Sequence, residues 1–130
     1  MQKETFDPWE WGRHSNSVQA VEIRQPSGTL YCSGLTAIDP NGIPITGTMR
    51  EQLIRTFNNL EELIATSGYE CRDIVRLNLF TTSTAEFFST CADLYHDWIA
   101  KHGVKQATSL LEVKGLFAGL SIELEATAAK

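Results

Sequence analysis

Glu123 sits in a run, residues 120–128, where Leu120, Ile122, Leu124 and Ala126 alternate with Ser121, Glu123, Glu125 and Thr127. Alternation of this kind is the period of a strand with one apolar and one polar face, so Glu123 and Glu125 share the polar one. A carboxylate under a cleft on that face can hold or deprotonate water for attack on a C=N carbon, the step an imine hydrolase needs. The competing reading makes Glu123 a strand carboxylate hydrogen-bonded across an interface between copies of the chain, to Arg76 or Lys114. Glu125, nearer the strand end, reads as a surface or interface residue. Ser33-Gly34 ends a short apolar run, where a hydroxyl and a backbone amide can meet a ligand oxygen, or where glycine simply permits a bend. Cys32 is adjacent, but neighbouring strand residues face opposite ways, and no histidine is placed to activate it, so it reads as packing.

Other chemistries find little support. Cys32, Cys71 and Cys91, with His14, His96 and His102, show no metal-ligand spacing, and the odd set of cysteines is no disulfide framework. Neither a metal nor an organic cofactor is expected. A net charge of −5 argues against a nucleic-acid footprint, which is normally basic. No apolar stretch reaches the ~20 residues of a membrane span, and residues 1–11 have no signal-peptide core, so a soluble cytoplasmic protein is expected. Residues 7–14, Asp7-Pro8-Trp9-Glu10-Trp11-Gly12-Arg13-His14, are unusual. The two tryptophans suggest either a lid over a cleft, with Arg13 or His14 supplying charge, or a leader docked on the surface by its aromatics.

These residues need elements to hold them. The 130 residues, 42% hydrophobic and 21% charged, suit one globular domain (1–130), with 1–16 as its leader. Strands are expected at 17–23 and 29–33, separated by the turn Gln25-Pro26-Ser27-Gly28. Thr48-Met49-Arg50-Glu51 is a capping-box pattern; Leu53, Phe57, Leu60 and Ile64 follow at helical spacing, and Gly68 is a natural stop. Ser83-Thr84-Ala85-Glu86 repeats the pattern before one helix lined by Phe87, Cys91, Leu94, Tyr95 and Trp98. Between the helices, 73–82 reads as a strand with Val75, Leu77 and Leu79 on one face and Ile74, Arg76, Asn78 and Phe80 on the other. Strands at 108–114 and 120–128 complete a β-β-α-β-α-β-β order. Two one-striped helices cover one face of such a sheet, which leaves the other to water or another chain.

The sequence resembles the Rid (YjgF, RidA) family of reactive-intermediate deaminases along nearly its whole length. The residues that carry this are Ser33-Gly34, Asp73-Ile74-Val75-Arg76, Leu111-Glu112-Val113 and the ending Ile122-Glu123-Leu124-Glu125-Ala126. The resemblance implies an α+β fold of the chorismate mutase-like type, with a mixed five- to six-stranded sheet and two helices on one face. It also implies a homotrimer, sheets inward, with a ligand cleft at each subunit interface. Active members clamp a substrate carboxylate with an arginine opening the penultimate strand; here that position is Thr108. The family tyrosine before the first strand falls on Ser17, and its helix-two asparagine on Ala92.

What the resemblance leaves is Glu123 as the catalytic carboxylate, with Ser17, Ser33, Gly34 and Thr108 binding a small-molecule substrate. Arg13 and His14 stand as substitute charges. A desolvated substrate carboxylate facing no cation costs several kcal/mol. The expected activity is therefore hydrolysis of an imine or enamine other than the usual 2-aminoacrylate type. The alternatives are a trimeric ligand-binding or interaction module that has lost the chemistry, in which Ser17 and Thr108 are small residues of a dead site, and, more weakly, the endoribonuclease or translation-inhibitor activity attached to some members.

Overall fold

The computed structural model describes all 130 residues. Helix α1 (Met49–Thr66) starts at the expected cap: Thr48 Oγ1 accepts the Glu51 amide at 3.1 Å, and the Glu51 carboxylate takes the Thr48 amide at 3.4 Å. Two of the helix's orphan donors are thereby satisfied. Met49, Leu53, Phe57, Leu60 and Ile64 form its buried stripe.

The second helical region is not one helix. It breaks at Cys91, φ −126°, into α2 (Thr84–Thr90) and α3 (Ala92–His102). Ser89 and Thr90 both donate their hydroxyls to the Glu86 carbonyl, at 3.2 and 2.8 Å, and side-chain hydroxyls that compete for helix carbonyls bend helices. Ser83 caps α2 through the Glu86 amide, without the reciprocal bond from Glu86. The apolar side chains still converge: the Phe57 and Trp98 rings stack at 4.4 Å, with Tyr95 at 6.2 Å from Phe57. Gly103 ends α3 in the left-handed region, φ 62°.

Six strands form: β1 (Gln2–Phe6), β2 (Ala20–Arg24), β3 (Thr29–Tyr31), β4 (Ile74–Thr81), β5 (Ala107–Glu112) and β6 (Ile122–Ala129). They make two sheets, not one: an antiparallel β1-β2 pair and a mixed four-stranded sheet ordered β3-β6-β4-β5, with β4 and β5 parallel. β1 had no readable pattern because nearly all of it is exposed; its backbone ladder to β2 makes it a strand.

A bulge at Val75 corrects the expected faces of β4. The register slips between Ile74 and Arg76, and an extra residue swaps the side-chain parity around it. Ile74, Leu77, Leu79 and Thr81 are the buried set, and Val75 joins Arg76 on the other face. With Ile122, Leu124, Ala126 and Ala128 they pack under the three helices. By register, the uncovered face carries Arg76, Asn78 and Phe80 of β4, flanked by Ser109 and Leu111 of β5 and by Glu123, Glu125 and Thr127 of β6. Tyr31 and Leu111 on this face are 79% and 44% exposed. No helix is long and apolar enough to cross a membrane.

One buried polar group ties the helix layer to the strand that bears Glu123. Gln52 Oε1 accepts the Ser121 amide at 2.7 Å and its hydroxyl at 3.1 Å, while Gln52 Nε2 donates to Gly47 O at 3.1 Å. Gln52→Leu keeps the volume but strands the Ser121 amide. A loss of about 1–3 kcal/mol in chemical denaturation is expected.

Candidate functional site

The edge of the sheet beside β6 is irregular where it matters. The Cys32 amide donates to Ala126 O and the Leu35 amide to Leu124 O, so Ser33 and Gly34 together stand opposite the single residue Glu125. Two residues against one is a β-bulge, and it withdraws the bulged backbone from the ladder. The Ser33 and Gly34 amides accordingly donate to no protein atom. Against them lies the Glu123 side chain: a Cβ on Gly34 would sit 2.7 Å from the Glu123 carboxyl carbon. Glu123 forms no hydrogen bond or ion pair, and Arg76 reaches only Ser109 Oγ, at 3.5 Å, so neither Arg76 nor Lys114 holds it within the chain. Burial, and then the charge of Glu125, push the Glu123 carboxyl above the ordinary carboxylate range. Glu125 itself accepts from Asn78 at 3.3 Å.

Thr108 lies elsewhere. It pairs with Leu77 on β5, the opposite edge of the sheet from β3 and on the helix side. Three strand spacings, on the order of 14 Å, and the sheet itself separate it from the Ser33-Gly34 bulge. Thr108 donates its hydroxyl to Leu77 O and lines an apolar cavity of about 220 Å³ with Leu79, Phe87, Phe88, Ala92 and Leu110. The buried Tyr95 hydroxyl, whose titration burial pushes up and which accepts from Gln106 Nε2 at 3.1 Å, closes one wall. Asn16 and His96 line this cavity and also a second one, of about 250 Å³, that holds Arg13, Ser17 and Lys105. Ser17 and Thr108 thus share a cleft through Asn16 and His96, while Ser33, Gly34 and Glu123 form a separate cluster.

Residues 13–130 match the family model described as Endoribonuclease L-PSP. The chain belongs to this YjgF/Rid family. A RutC family protein of Aquifex aeolicus is 29% identical over 112 residues, 86% of each chain. The Rid protein YyfB of Yersinia pestis superposes with a TM-score of 0.81 at 26% identity, covering 100% of both chains, so its match takes in the leader that the family model leaves out. The protein MMF1 of Saccharomyces cerevisiae, 28% identical over 102 residues (76% of this chain, 66% of that one), is named mitochondrial, and kinship therefore does not carry the cytoplasmic expectation.

Within this Rid chain the leader is held differently from either sequence reading. Trp9 and Trp11 stack on each other at 5.5 Å and are 52% and 68% exposed, neither roofing a cavity nor docking on the surface. Backbone contacts fasten the segment instead: β1 pairs with β2, and Asp7 accepts the Gln19 amide at 3.1 Å. Arg13 donates to Asp7 O at 3.1 Å and lines the cleft. His14 is exposed and lines no cavity, so it drops out as a substitute charge on this geometry. His96, Lys105 and Asn16 are the cleft residues that sequence reasoning passed over. A signal for His96 existed, since it follows Ala92 by four residues and so shares its helix face. The thiols offer no nucleophile: burial raises all three, Cys71 to about 11 with help from Glu61 and Asp73.

In Gly34→Ala the flexible carboxylate swings away at little cost, so the melting temperature stays within about 2 °C, while the Glu123 titration midpoint, read by NMR, falls toward the ordinary carboxylate range. A carboxyl raised in the folded state favours folding below its unfolded pKa, and that advantage is lost as pH rises through the folded value. Glu123→Gln should therefore melt higher than wild type at pH 7, by on the order of 1 °C. The difference should vanish below about pH 4, where both are neutral.

Proposed function

We propose that this protein hydrolyses the C=N bond of a small imine or enamine, in a cleft completed between copies of itself in a homotrimer. In that assembly the Ser33-Gly34-Glu123 cluster of one subunit faces the Thr108–His96 cleft of the next. The observation that carries the reading is the state of Glu123: unpaired, raised in pKa, and set beside two backbone amides with nothing to bind. The uncovered face, with Tyr31 and Leu111 exposed, is the surface such an assembly would bury.

The chemistry follows from those groups. Water held by the Glu123 carboxylate attacks the C=N carbon as the π pair moves to nitrogen. Glu123 takes a proton from the water and hands it to that nitrogen. The carbinolamine then collapses, its hydroxyl proton passing by the same carboxyl to the leaving group, and gives a carbonyl compound and ammonia. A carboxyl raised above its usual range exchanges protons more evenly near neutral pH than an ordinary one. The Ser33 hydroxyl and the Ser33 and Gly34 amides are donors for the oxygen that develops.

The Thr108 cavity is mostly apolar and has no Asp, Glu, Lys or Arg in its lining, which suits an apolar substituent on the imine carbon. Any anionic group would lie toward Arg13 and Lys105 in the adjoining part of the cleft. One observation favours a second reading, ligand binding without turnover: the Thr108 hydroxyl is already spent on Leu77 O. The RNA cleavage in the family's name finds less support, because the open sheet face bears Glu123 and Glu125 in a chain of net charge −5.

Ammonia release from apolar imines, generated in situ, tests this. Wild type should accelerate it, and Glu123→Ala should lower kcat/KM by about 100-fold or more. Equal rates for the two would remove Glu123 from the mechanism. Silence across the panel, with thermal stabilisation by a ligand, would favour the binding module.

A further inference from the structure

A cavity of about 490 Å³ lies between α1 and the loop that follows Gly34. The proposed chemistry does not use it. Its walls include one cation, Arg55, and two carboxylates, Asp39 and Glu62. Arg55 makes no hydrogen bond or ion pair, and its Nε is buried without a partner. A guanidinium cannot shed its charge, and an orphaned buried donor costs free energy that a ligand can recover. The neighbouring polar groups are arranged around it. Asn59 donates both its amide hydrogens, to Thr36 O at 3.0 Å and Ile38 O at 2.9 Å, which leaves its carbonyl oxygen as a fixed acceptor with no donor. The Thr36 hydroxyl and the Glu62 carboxylate have no partner in the chain, whereas Asp39 Oδ1 is taken by the Asn41 and Ile43 amides.

We propose that this cleft binds a free α-amino acid. Its carboxylate meets the Arg55 fork and the Thr36 hydroxyl, and its ammonium meets Glu62 and the Asn59 oxygen. Charge decides the class. A simple anion is drawn by Arg55 but repelled by Asp39 and Glu62, and a simple cation meets the reverse. Only a ligand carrying both charged groups on one carbon satisfies all three walls, and a planar fork suits a carboxylate in particular. The site is distinct from the Glu123 cluster, although Gly34 lines the one and touches the other.

The test is an NMR titration of the full-length protein with L-alanine, propionate and ethylamine, which share a skeleton and differ in charge. Alanine should give saturable shifts at the Asn59 side-chain amide and the Gly34 backbone amide. Propionate and ethylamine should bind at least about 10-fold more weakly. Arg55→Met should weaken alanine by a similar factor, and Arg55→Lys by less. Exposed Glu62→Gln, which does not threaten the fold, should narrow the gap between alanine and propionate. Alanine binding no tighter than propionate, indifferent to Arg55→Met or to Glu62→Gln, or mapping to Thr108 would overturn the proposal. Retained alanine binding in Glu123→Ala, whatever that variant's turnover, separates this site from the hydrolytic one.

Discussion

The antiparallel ladder between β4 and β6 sets the direction of every side chain on which the site depends. Ile122, Leu124, Ala126 and Ala128 point under the helices and are almost wholly buried, which forces Glu123, Glu125 and Thr127 to the other face. A one-residue slip would bury the carboxylates and expose the core. Gln52 holds the Ser121 amide and hydroxyl just before the strand begins, so the parity is fixed from the helix layer. The same helices cover only one side of the sheet, and the consequence is an open face bearing a raised, unpaired carboxyl.

Two local irregularities turn this sheet into something that can bind. The bulge at Ser33-Gly34 leaves two amides outside the ladder and gives the Glu123 carboxyl a place that no side chain other than hydrogen would allow. The bulge at Val75 rotates the start of β4, so that Val75 and Arg76 both reach the open side. Bulges cost ladder bonds, and they recur where a sheet must re-aim a side chain. The Thr108 cleft is built by other means, from the leader, α2, α3 and the β5 edge. Its distance from Glu123 in one chain is why the proposed site needs a second.

Much of the frame was legible in the sequence. The alternation of β6, the Thr48 capping box and the stripe of α1 each involve a single period and local bonds, and all are present. What escaped was set by contacts the sequence does not display. The two hydroxyls on the Glu86 carbonyl break the second helix at Cys91, the slip at Val75 exchanges it with Ile74, and β1 exists only because β2 pairs with it. The family positions Ser33, Gly34, Glu123, Ser17 and Thr108 were legible as a set, but not their division between two edges and two faces. Arg55 lay within an ordinary helix pattern, and nothing in its spacing marked an orphaned guanidinium.

The proposed chemistry requires the open face to be closed by other copies of the same chain. Sedimentation equilibrium at micromolar concentration measures this directly, on wild type and on Leu111→Asp, which places a charge on the β5 side of that face. Three times the chain mass for wild type, with dissociation in the variant, is the predicted result. A well-folded wild-type monomer at that concentration would contradict it.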